Sequence, residues 1–144
     1  MENGDVGERK SECFHKFLKP KLLLADEDLD DLGRYSKVLH HLGYDVRSFA
    51  SYGAAATSLG LESFDLVIVS QGTSNFEGRR VLARATEHDR HTPVLVLTRS
   101  IDMPCYLEAM QLGARDYVEK PLPPSEIGGL VARYLPTRLG TSPD

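Results

Sequence analysis

Three short runs constrain this chain more than any other feature: "KLLLA" at 21–25, "DLVIV" at 65–69 and "PVLVL" at 93–97. Each is built mainly of Val, Ile and Leu, and none alternates strictly between polar and apolar. A strand with one wet face alternates with period two, so a nearly unbroken apolar run marks a strand buried on both faces. Such strands belong to a parallel sheet covered by helices on both sides. "YDVRSF" at 44–49 and "DYVE" at 116–119 alternate in part, as strands nearer the edges do.

The segments between these runs carry the helical period. Leu29, Leu32, Tyr35, Val38, Leu39 and Leu42 recur at helical spacing, with Gly43 as a stop. Ser51 is placed to cap an Ala-rich helix running to about Leu59. Val81, Leu82 and Ala85 mark a third helix; Met103, Leu107 and Met110 mark a fourth ended by Gly113, with Met103 and Met110 taken as core residues. Ser125 is placed to cap a fifth carrying Ile127, Leu130, Val131, Tyr134 and Leu135. Gly128 and Gly129 inside it each cost about 1 kcal/mol relative to Ala, so this helix is either the least rigid or packed very closely there. Strands alternating with helices predict an α/β fold, a doubly wound five-stranded parallel sheet of order 2-1-3-4-5 with a flavodoxin-like architecture.

The chain of 144 residues, 41% hydrophobic, suffices for one core. The expected organisation is a flexible leader at 1–19, a domain at 20–136 and a tail or linker at 137–144. A net charge of −4 argues against nucleic-acid binding by this domain. Cys13 and Cys105 lack metal or redox spacing and read as reduced thiols. No apolar stretch approaches the ~18 residues of a membrane span, and the charged start does not resemble a signal peptide. The expected location is cytoplasmic, with no membrane partner.

In that strand order the ends of strands 1, 3, 4 and 5 lie side by side. They deliver Asp26 and Glu27, then Ser70, Thr98 and Lys120 to one edge. Paired carboxylates on a rigid strand end suit Mg²⁺, and a hydroxyl with a lysine suits phosphoryl oxygens. A nucleotide-binding edge would offer glycines and free N–H groups instead, so the acidic "DEDLDD" loop disfavours a flavodoxin-like cofactor binder.

With these residues in place, the chain resembles the receiver domain of two-component response regulators from Lys21 to about Leu135. The resemblance rests on Asp26–Glu27, on "FDLVIVS" with Gly78 eight residues beyond Ser70, on Thr98, and on "GARDYVEKP". It implies that the two acids hold Mg²⁺ and that an aspartate ending strand 3 attacks phosphohistidine. Thr98 and Lys120 would bind the phosphoryl group, and Tyr117 would change rotamer with Thr98 in switching; read from its place in strand 5 alone, Tyr117 fits plain edge packing equally well. The peptide before Pro121 would be cis. Partners would dock on the face made by helix 4, strand 5 and helix 5, and a homodimer is compatible with it.

The departure is central: Ser70 stands where the phospho-accepting aspartate is expected, and Ser74 where a proline is usual. The chain therefore reads as a pseudo-receiver that is not an enzyme, has Mg²⁺ bound weakly or not at all, and acts by protein contact. Lys120 is expected to pair with Asp26 or Glu27. The alternative is a phosphoryl-handling or hydrolytic domain using Ser70. It lacks a positioned base, and Ile68 occupies the place of a nucleophile-elbow glycine. Adjacent His40 and His41 do not share a helical face, and His88 and His91 read as a solvated helix end.

Overall fold

A computed structural model describes residues 19–135. The expectations for the leader, including that for Cys13, fall outside the described residues except at Lys19. Those for the tail at 137–144 fall outside them too.

The elements alternate as β1 (Lys21–Ala25), α1 (Leu29–His41), β2 (Asp45–Phe49), α2 (Tyr52–Leu59), β3 (Leu66–Ser70), α3 (Arg79–His88), β4 (Val94–Thr98), α4 (Met103–Gln111), β5 (Asp116–Glu119) and α5 (Pro124–Tyr134). The sheet has five strands in the order β2-β1-β3-β4-β5, and every pairing is parallel. Ala25 lies beside Val69, and Ser70 beside Leu97, so the next residues of each strand emerge at one edge.

Successive residues of the central strands feed opposite cores, as the pleat requires. Leu23, Ala25, Val67, Val69, Val94 and Val96 pack in a cluster with Ala55 and Leu59 of α2, Val81, Leu82 and Ala85 of α3, and Cys105 and Ala109 of α4. Leu22, Leu24, Leu66, Ile68, Leu95 and Leu97 pack in the other with Leu32, Tyr35 and Leu39 of α1 and Ile127, Leu130 and Val131 of α5. Full burial of each Val, Leu or Ile among them stabilises the fold by about 1.5–3 kcal/mol.

The caps follow the side chains. Ser51 accepts from Ala54 N–H at 3.1 Å, and Asp28 accepts from the N–H groups of Asp30 and Asp31 at 3.0 and 3.1 Å. Two expectations need correction. Ser125 does not cap α5: the helix begins at Pro124, whose fixed φ and missing N–H suit a first turn, and Pro123 occupies the cap position without a side-chain bond. Met103 and Met110 are not core residues, nor is Leu107 between them. Cys105 and Ala109 turn inward instead, leaving Met103 58% and Leu107 52% exposed with Ile101, Tyr106 and Met110 beside them in sequence. Leu29 and Leu42, at the ends of the α1 stripe, are likewise exposed. Of the two readings of the α5 glycines, Gly128 fits close packing: a Cβ there would meet Leu42 Cδ1 of the α1 end at 3.0 Å, while one on Gly129 would meet nothing within 4 Å.

Candidate functional site

At the strand-end edge the deciding residue is Lys120, the first after β5. Its side chain is buried, and Nζ donates to Asp26 Oδ2 at 2.8 Å and to Asp31 Oδ2 at 2.8 Å, with Ser70 Oγ at 3.4 Å. An unpaired buried charge is expensive, so this geometry is what allows the ammonium and the two carboxylates to leave water. Each acid is tied further. Asp26 Oδ1 accepts from Asp28 N–H at 2.9 Å. Asp31 accepts from Arg99 at 2.7 Å and from Arg34 at 3.1 Å, and Arg99 also reaches Asp28 at 3.0 Å. The Asp28 carboxyl sits below its ordinary range, held first by the Asp31 N–H and then by Arg99. Asp26, Asp28 and Asp31 thus face Lys120, Arg99 and Arg34 with charges balanced by side chains alone.

Asp31 was not among the residues singled out from the sequence. Its signal was available: with Asp28 as cap, Asp31 is the third residue of α1, and side chains there lean back toward the helix start and so toward the strand ends. Glu27, by contrast, is exposed and stands outside the Lys120 cluster.

Ser70 closes β3 and is buried. The α3 helix starts against it: a Cβ on Gly78 would lie 2.1 Å from the Ser70 carbonyl oxygen. Only glycine permits that approach. Tyr52, at the start of α2, was also missed. It is 5% exposed, and its hydroxyl is buried without a hydrogen-bond partner. Burial is the main cause pushing that phenol up to about 12; the Ser70 side chain pulls the other way, although no bond of ordinary geometry joins the two.

Thr98 is 1% exposed, and its hydroxyl serves its own loop, donating to Ser100 C=O at 2.8 Å and accepting from Ser100 N–H at 3.2 Å. Tyr117 lies inward, its hydroxyl donating to Gln71 Oε1 and accepting from Asp102 N–H at 3.1 Å. The Lys120–Pro121 peptide is cis.

The donor set fits a divalent cation poorly. Asp26 and Asp31 each commit an oxygen to Lys120, and position 70 supplies a neutral hydroxyl. Among the described residues, no three His, Cys, Asp or Glu side chains are grouped to hold a metal, the four histidines among them included.

The profile of the response regulator receiver domain matches residues 22–132. The Pseudomonas aeruginosa response regulator protein FleR is 32% identical over 114 residues, covering 79% of this chain and 24% of FleR. The Salmonella typhimurium phosphoglycerate transport system transcriptional regulatory protein PgtA is 27% identical over 106 residues, covering 74% of this chain and 26% of PgtA. The chain thus spans about a quarter of the length of these curated relatives. A CheY-like receiver domain protein from Methanospirillum hungatei has the same fold, with a TM-score of 0.74 at 21% identity over 79% of this chain and 91% of that one. With the fold, the strand-end residues and the matched span in agreement, this chain belongs to the response regulator receiver domain family, the signalling modules of two-component phosphorelays.

Proposed function

We propose that this receiver module takes up no phosphoryl group at position 70 and signals by docking a protein on its α4–β5–α5 face. The observation that carries the reading is the Lys120 cluster. Its buried ammonium is already paired to two carboxylates, and the side chain at the end of β3 is a neutral hydroxyl. Mg²⁺ then binds weakly, since Asp26, one of the two acids that would hold it, is committed to Lys120 and position 70 supplies no carboxylate. Receiver domains work through protein partners, and the exposed apolar side chains along and just before α4 support that face as the contact.

The hydrolytic reading finds no comparable support. Ser70 Oγ accepts from Lys120 Nζ, and an ammonium so paired cannot take the hydroxyl proton. The test is intact mass after incubation with acetyl phosphate and Mg²⁺. An unchanged mass is expected; a stoichiometric gain mapped to Ser70 would sink the proposal.

A further inference from the structure

Gln71 follows Ser70 and is 3% exposed. Its backbone is fully engaged: the N–H donates to Leu97 C=O at 2.7 Å, and the C=O accepts from Gly78 N–H at 3.1 Å. The side chain reaches toward β5. Nε2 donates to Thr73 C=O at 3.1 Å, which orients the amide so that Oε1 meets the Tyr117 hydroxyl. That hydroxyl has one proton, and giving it to Gln71 leaves the oxygen lone pairs for the Asp102 N–H at 3.1 Å. Asp102 is the N-cap of α4, its carboxylate accepting from Cys105 N–H at 3.1 Å. One continuous chain of hydrogen bonds therefore runs from the residue after Ser70 to the first turn of α4.

Two contacts brace the same junction. The Cys105 thiol lies 3.4 Å from the Ser74 carbonyl oxygen, and the Tyr106 ring meets Tyr117 edge-on at 5.5 Å between centroids. Remove the amide acceptor and the Tyr117 hydroxyl keeps only the longer Asp102 carbonyl contact at 3.4 Å as an acceptor, which weakens the hold on the inward ring.

We propose that Gln71 is a positioning residue for the α4–β5–α5 face: it holds Tyr117 inward and, through Asp102, fixes where α4 begins. The importance of that geometry for docking rests on the reading of the face given above.

The test needs no partner. In a Cys13→Ser background, so that Cys105 is the reacting thiol, Gln71→Leu removes the amide at similar volume. Amide exchange at Asp102 and the reaction of Cys105 with a thiol reagent should each become at least tenfold faster. Exchange at Leu23, in the centre of β1, should not change once corrected for global stability. Tyr117→Phe removes the oxygen from the other end and should give the same acceleration, and the double variant no more than either single one. If Gln71→Leu does not fold, Gln71→Met, which also lacks the amide, decides the matter through the same Asp102 exchange. Unchanged exchange at Asp102, or effects that add, overturns the proposal. Phosphorylation of the wild-type protein would overturn the docking reading and leave these exchange results standing, so the two failures are separable.

Discussion

Lys120→Met is the most informative single change. The Lys120 side chain is 2% exposed, and the carboxylates it joins are 4% and 2% exposed. Methionine keeps most of the apolar stem, so packing alone should cost less than about 1.5 kcal/mol. The charge tells a different story. Asp31 keeps Arg99 and Arg34, but Asp26 Oδ2 loses the cation that faces it. Removing one partner of a buried pair costs about 3–5 kcal/mol, a large share of the roughly 5–15 kcal/mol that holds a domain together. The loss should therefore appear as a large drop in urea midpoint at neutral pH. Mg²⁺ should restore part of it, because the freed Asp26 carboxylate gains a replacement cation. With a Kd of about 1 mM, about 10 mM Mg²⁺ returns roughly 1.4 kcal/mol. The wild type should show no comparable Mg²⁺ response. A loss within the packing range, or one indifferent to Mg²⁺, would refute the claim that Lys120 occupies the cation's role.

Tyr52→Phe removes a buried hydroxyl that has no partner, so urea unfolding should show the variant at least as stable as wild type, by up to about 1–3 kcal/mol. A clear loss of stability would mean that the hydroxyl has an essential bond. The buried Cys105 thiol is pushed up to about 11 from an ordinary value of 9.0, chiefly by desolvation and then by Asp102. Because the folded value is raised, its contribution is present below pH 9.0 and is lost as pH rises from there toward 11. Stability should fall more steeply over that interval in wild type than in Cys105→Ala; equal slopes would refute the assignment.

The sheet was legible because apolar runs without strict alternation have one common use, and Ser51 and Gly43 punctuate as their backbone preferences dictate. The interior of α4 was misread for a physical reason. Met103, Leu107 and Met110 form a helical stripe as good as a core stripe, but the small Cys105 and Ala109 are what fit beside the sheet. Periodicity cannot separate a buried face from an exposed apolar one. At the site, Asp26, Ser70 and Lys120 could be brought together from strand order alone. Asp31 needed the helix register set by the Asp28 cap, and Gln71 and Tyr52 needed side-chain directions that spacing does not encode. Glu27 follows Asp26 directly, yet the turn out of β1 leaves it at the surface.

The account stands on Ser70 occupying the position from which a carboxylate is missing, 3.4 Å from Lys120 Nζ. The most direct measurement is a Mg²⁺ titration of wild type beside Ser70→Asp, followed by the chemical shifts of the Asp26, Asp31 and residue 70 amides. A third carboxylate at that point exceeds what Lys120 can balance and supplies a new oxygen ligand. Ser70→Asp should therefore saturate with a Kd at least about tenfold below any seen for wild type, a difference of about 1.4 kcal/mol. If Ser70→Asp binds Mg²⁺ no better than wild type, residue 70 does not belong to this pocket and the central claim is wrong.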